Sequence, residues 1–152
     1  HDNSNIVSSW DVLNGQEVTG DCVVIGGGLV GAETAEYLAN KGHQVTIVEM
    51  MDKIAAGEST TVLPLMMKDF ADHNVKQLVN TKVDHIENNI VYTANEQIKA
   101  DTIINALGSK KNIFDDSSIT IPHVCVGDCS GERTADIASA IRTAYKAANE
   151  IG

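Results

Sequence analysis

Three glycines and one carboxylate carry the chemistry that can be read first. Gly26, Gly28 and Gly31 stand at G-x-G-x-x-G spacing, and Glu49 follows at about the distance where a dinucleotide fingerprint places its acid. Such a set binds an anion and breaks no bonds. Gly26 allows a tight turn, Gly28 leaves room for a pyrophosphate to touch the backbone, and Gly31 lets a helix pack closely on a strand. With Gly27, Leu29 and Val30 they form a loop whose amides open a helix N-terminus, where phosphate oxygens are favoured. Glu49 can accept from the adenosine ribose hydroxyls and would repel a 2′-phosphate. Met50 and Met51 follow it with no arginine beside them, so the reading is NAD(H) rather than NADP(H). Lys53 is the nearby cation; a nucleotide contact and a solvated surface lysine are both open for it.

The elements needed to position these residues occur in the required order. Cys22 to Ile25 is an apolar run suited to a strand buried on both faces. Ala32, Ala35, Leu38 and Ala39 recur at helical spacing after the glycines, and Lys41-Gly42-His43 closes that helix. Val45, Ile47 and Val48 make a second strand with Glu49 at its end. Thr60 to Asp72 reads as a helix, with Pro64 early enough to be tolerated, and His73-Asn74 ends it before a third strand, Val75 to Val79. Lys82 to Ala100 reads as three short antiparallel strands, with a hairpin at Asn88-Asn89. Thr102 to Leu107 is a buried strand ending at Gly108. A polar loop over Ser109 to Thr120, a strand at Val124 to Val126 and a final helix from Ala135 to Ile151 follow. The expected fold is α/β: a Rossmann-like parallel sheet with helices on both faces and a three-stranded antiparallel β-meander. Residues 1–20 show no periodicity and read as a linker, with Trp10 packing on the domain edge. Residues 21–108 are the expected nucleotide-binding domain, and 109–152 a loop, returning strand and helix.

Composition narrows the function classes. The chain has 152 residues, 43% of them hydrophobic, which suffices for one core. A net charge of −10 argues against nucleic acid or an anionic membrane as partner. No run approaches a membrane span, and no secretory leader is visible. Cys22, Cys125 and Cys129 make an odd count without C-x-x-C, which reads as buried free thiols in a cytoplasmic protein. No nucleophile–base pair or metal cluster stands out. The chain begins with His1, and the expectation is a piece of a longer polypeptide.

Val23 to Glu49, Ala106-Leu107-Gly108 and Val126-Gly127-Asp128 together resemble the pyridine nucleotide-disulfide oxidoreductase superfamily. Within it the chain looks most similar to the C-terminal part of NADH:flavin oxidoreductases of the 2,4-dienoyl-CoA reductase and 2-enoate reductase type. Trp-Asp-Val-Leu-Asn-Gly at 10–15 and Ala-Ile-Arg-Thr-Ala-Tyr-Lys at 140–146 carry that closer likeness. The resemblance implies an inserted NAD(H) domain followed by the returning end of an FAD domain. FMN and an iron–sulfur cluster are then expected on domains beyond this chain. It also implies that Glu33 lies near the nicotinamide; a glutamate stabilising the helix dipole is the alternative. Ala106, Leu107 and Gly108 would pass close to the dinucleotide, and Asp128, after Gly127, would meet the FAD ribityl chain.

The reading is therefore an enzyme part: an NAD(H)-binding domain of a flavoprotein oxidoreductase that positions NADH for hydride transfer to FAD. Its partners are NADH and the FAD and barrel domains of the same polypeptide. A free-standing nucleotide-binding or regulatory domain is the alternative. A short-chain-type dehydrogenase, which would want a catalytic Tyr-x-x-x-Lys pair, is set aside. An exposed apolar face on the final helix is expected, with self-association through it.

Overall fold

The computed structural model describes residues 5–56, 61–108, 115, 117–130 and 137–150. The chain divides into two compact units, residues 1–108 and 109–152, each described by itself.

The first unit is built on a five-stranded parallel sheet. Its strands are β1 (Ile6–Ser8), β2 (Cys22–Ile25), β3 (Val45–Val48), β4 (Lys76–Leu78) and β8 (Thr102–Asn105). Their spatial order is β1-β8-β2-β3-β4. The register pairs Ile25 with Val48 on one side and with Asn105 on the other. The residues after β2, β3 and β8 therefore emerge along one edge of the sheet, where open α/β sheets bind their ligands.

Successive side chains alternate between the two faces. Cys22, Val24, Val45, Ile47 and Ile104 meet the helices α1 (Ser9–Leu13), α2 (Leu29–Asn40) and α3 (Val62–Asp72) through Val12, Ala32, Ala35, Leu38, Met66 and Phe70. Val23, Ile25, Val48 and Ile103 meet Val91, Ile98 and Ala100. Those last residues belong to or border the separate sheet β5 (Val83–Glu87), β6 (Ile90–Thr93) and β7 (Gln97–Lys99), paired antiparallel. The fold class is the expected one, with one difference. The helices of this unit share one face, and the meander covers the other, where a second helical layer was expected.

Turn chemistry explains the element ends. Gly42 has φ +92, Gly42 N–H donates to Ala39 O, and His43 N–H donates to Leu38 O, the paired bonds of a Schellman stop. Asn74, with φ +55, does the same for α3 through Ala71 and Phe70. Pro64 is the third residue of α3, where its missing amide would have had no intrahelical acceptor. Asn88 and Asn89 both have positive φ, as the two-residue hairpin requires.

Residues 6–13, expected to be linker, are folded into the unit. β1 pairs with β8, and Ser8 caps α1 by accepting from Asp11 N–H at 3.1 Å while its hydroxyl donates to Asp11 Oδ2 at 2.6 Å. A three-residue strand is too short to show a period, so its place came from pairing. Trp10 lies on this helix and is largely exposed.

In the second unit the expected strand at Val124 to Val126 is not formed. A strand needs a ladder partner, and no strand is present among the described residues of this unit. A short 3-10 turn covers Gly127–Cys129, and α4 covers Ile137–Glu150. The expected helix ends at 135 and 151, and most of the expected polar loop over 109–120, lie outside the described residues. α4 buries Ser139, Thr143 and Ala147 and exposes Ile137, Ile141 and Tyr145 at 81%, 64% and 73%. Among the described residues no helix is long and apolar enough to cross a membrane.

Candidate functional site

At the sheet edge the chain leaves β2 through Gly26, whose φ is +100. A Cβ at Gly26 would lie 2.7 Å from the Ala106 carbonyl oxygen, and one at Gly31 would lie 1.9 Å from the Gly26 carbonyl oxygen. The turn, the start of α2 and the chain after β8 are thus packed backbone to backbone. Gly28 behaves differently. Its φ of −63 and ψ of −178 suit any residue, and a Cβ there would meet nothing within 4 Å. The position needs no glycine for folding; it faces open space directly before α2. That helix has no side-chain cap, so its first amides are left for another acceptor.

Glu49 is buried, at 8% exposure. Its Oε2 accepts from Gly27 N–H at 2.6 Å and its Oε1 from Met51 N–H at 2.7 Å. These are short, charge-assisted bonds. The Glu49 backbone is tied to the end of β4 and beyond by Glu49 N–H to Leu78 O and Thr81 N–H to Glu49 O. Each carboxylate oxygen keeps a second lone pair, so the group can still accept from a sugar hydroxyl. The open approach at Gly28, the helix amides and the fixed acid fit a dinucleotide's pyrophosphate and ribose.

The structure therefore brings together Gly26, Gly27, Gly28, Gly31, Glu49 and Ala106. Leu29 is exposed and Val30 half-buried in the first turn of α2. Met50 and Lys53 are exposed on the loop after β3, and Leu107 and Gly108 are exposed after β8. Leu107 N–H donates to Asn105 Oδ1 at 3.2 Å. Glu33 is the fifth residue of α2 and exposed. It lies beyond the first turn, where the helix-dipole effect has faded, which counts against the dipole alternative. Gly127 and Asp128 belong to the second unit, where Gly127 N–H donates to Thr143 Oγ1 at 2.8 Å and Asp128 is exposed.

Two residues were missed in the sequence. Ile54 and Ala55 are buried within an otherwise exposed loop and lie against Gly27. The signal was an apolar pair shortly after the acid. The Tyr-x-x-x-Lys spacing that a short-chain-type dehydrogenase would want does occur, at Tyr37 and Lys41. Lys41 Nζ sits 4.6 Å from the centre of the Tyr37 ring. The pair lies at the far end of α2 from the glycine turn, roughly 12 Å along the axis from residue spacing alone, and cannot serve a reaction at that turn. The three thiols are free, but only Cys22 is buried; Cys125 is half-buried and Cys129 exposed, against the expectation of three buried thiols. Burial, helped by Asp21 and Asp101, pushes the Cys22 thiol up to about 11, which leaves it protonated and unreactive at neutral pH.

Over residues 1–148 the chain matches the family model described as pyridine nucleotide-disulphide oxidoreductase. The chain belongs to this family. It is 44% identical to the bilirubin reductase of Mediterraneibacter gnavus over 97% of its own length and 24% of that protein. It is 54% identical to the NADH oxidase of Thermoanaerobacter brockii over 57 residues, 36% of this chain and 9% of that protein. Among solved structures, a 2-naphthoyl-CoA reductase in complex with 2-naphthoyl-CoA superposes with a TM-score of 0.73 at 27% identity, covering 95% of this chain and 23% of the other. The chain thus spans about a quarter of the length of the bilirubin reductase.

Proposed function

We propose that the chain is the NAD(H)-binding module of a flavin-dependent reductase, and that it positions NADH for hydride transfer to FAD. The observation that carries this is the Glu49 carboxylate, fixed at the end of β3 by the amides of Gly27 and Met51 and adjoining the open approach at Gly28. In this reading the Gly28 turn and the first amides of α2, from Leu29, Val30 and Gly31, hold the pyrophosphate. Glu49 accepts from the adenosine ribose, with Met50 and Lys53 beside it. Ala106, Leu107 and Gly108 line the path toward the nicotinamide, with Glu33 on the facing helix. The chemistry supplied when the nucleotide is bound is hydride transfer to FAD; the protein binds, orients and excludes competing reactions.

The finer assignment is to the 2,4-dienoyl-CoA reductase and 2-enoate reductase type, with residues 21–108 as the NAD(H) domain and 109–152 as the end of an FAD domain. Asp128 would then serve the FAD ribityl chain. FMN, an iron–sulfur cluster and the site of substrate reduction would lie on other parts of the polypeptide, in the cytoplasm. The family match and the names of the relatives, two reductases and an NADH oxidase, support the redox reading over a purely regulatory nucleotide-binding domain.

Calorimetric titration with NADH and NADPH tests the proposal. NADH is expected to bind more tightly, because a 2′-phosphate would meet the buried Glu49 carboxylate. Equal affinities, or a preference for NADPH, would remove Glu49 from the site.

A further inference from the structure

The peptides flanking Gly27 are held from two directions. Gly27 N–H donates to Glu49 Oε2 at 2.6 Å, and the Gly27 carbonyl accepts from Ala55 N–H at 2.7 Å. A Cβ at Gly27 would lie 2.5 Å from Ile54 Cδ1, so the Ile54 side chain rests against the open face of this glycine. Ile54 and Ala55 are 6% and 1% exposed, whereas Met50 to Lys53 on the same loop are exposed. Ala55 has φ +49, a region that a non-glycine residue seldom adopts. Both side chains belong to the core on the helical face of the sheet, and the Ala55 amide closes the loop onto Gly27.

The consequence falls on the next residue. A peptide unit is planar and trans, so its carbonyl and the following N–H point in opposite directions and move together. Holding the Gly27 carbonyl therefore fixes the direction of the Gly28 N–H. Gly28 is the position that opens onto free space. We infer that Ile54 and Ala55 are positioning residues for dinucleotide binding: through the Gly27 carbonyl they aim the Gly28 amide at the pyrophosphate, while Glu49 holds the preceding peptide. This inference rests on the nucleotide reading above. It couples ribose recognition to pyrophosphate recognition, since one loop after β3 supplies both the acid and the clamp.

The test uses the 152-residue chain and the variants Ile54→Ala, Ile54→Val, Ala55→Pro and Gly28→Val. Thermal melting establishes which are folded; should Ala55→Pro fail to fold, Ile54→Ala decides. NADH and adenosine are titrated into each, and the amide NMR signal of Gly28 is followed without ligand. Ile54→Ala should weaken NADH roughly tenfold, the worth of one well-aligned hydrogen bond, and Ala55→Pro, which removes the amide and also forces the backbone away from φ +49, by at least as much. The Gly28 signal should shift in both. Adenosine, which carries no phosphate, should be weakened far less, and Ile54→Val should recover most of the NADH affinity. Unchanged NADH affinity in folded Ile54→Ala, or equal losses for NADH and adenosine, overturns the inference. If Gly28→Val abolishes binding in that same series, the nucleotide reading stands and only the clamp fails. A wild-type chain that does not bind NADH overturns both.

Discussion

Gly28 and Gly31 are the same residue type with opposite structural demands. A side chain at Gly31 would overlap the Gly26 carbonyl oxygen at 1.9 Å, while one at Gly28 would meet nothing within 4 Å. Gly28→Val should therefore leave the circular dichroism spectrum and melting curve close to wild type and abolish NADH binding. Retained affinity would mean that the nucleotide does not use this turn. Gly31→Ala should instead lower stability by about 2 kcal/mol or more, because backbone must move to admit the methyl; chemical denaturation reads this directly. Glu49 makes a third test. In Glu49→Gln the side-chain NH2 replaces one acceptor oxygen, so the N–H of either Gly27 or Met51 faces a donor. The expected loss is about 1–3 kcal/mol of folding stability, with a narrower preference for NADH over NADPH.

At the scale of elements, α2 and α3 meet through two acids. Desolvation first, then a side-chain hydrogen bond and charge repulsion from Asp69, with a contribution from Glu33, raise the pKa of Glu36 above its ordinary 4.5. A carboxyl raised in the folded state binds protons that the unfolded chain releases, so stability falls as pH rises through that window. The helix pair should be more stable just above the ordinary carboxylate range than at neutral pH. Glu36→Gln should raise the melting temperature at pH 7, and the gain should shrink as pH is lowered through the window between 4.5 and the raised value. A gain that is independent of pH would mean that the Glu36 carboxyl is not raised in the folded chain.

The chain carries one G-x-G-x-x-G set of glycines and one acid at the matching distance, and the proposed NAD(H) site uses both. An FAD site would need a second set, while Asp128 could add only a hydrogen bond or two, each worth about 1 kcal/mol net. Immobilising so large a cofactor costs on the order of 4 kcal/mol or more. The purified chain should therefore be colourless, which its visible absorption spectrum checks; stoichiometric flavin would show that the two dinucleotides have been assigned the wrong way round. The apolar stripe of Ile137, Ile141 and Tyr145 on α4 is left exposed, and under the proposed function it is the surface that packs in the FAD domain.

How much of this was legible in the sequence depended on range along the chain. The β2–α2–β3 order, the glycine turn, the terminal acid and the Asn-Asn hairpin are written in periods and turn residues a few positions apart, where local backbone preferences act. Fold class and the core of the candidate site followed from these. Tertiary structure alone decided the rest. β1 is three residues long and exists because β8 offers it a ladder; Val124 to Val126 has a strand-like composition and no ladder. The helices share one face because the meander occupies the other. Glu49 could be picked out as an acid at the right place, but not as a carboxylate already held by two amides. Ile54 and Ala55 show in the sequence only as an apolar pair shortly after the acid, and their contact with Gly27 arises only in the folded loop. Pairing and close packing join residues distant in sequence, and a local pattern cannot state which distant partner will be there.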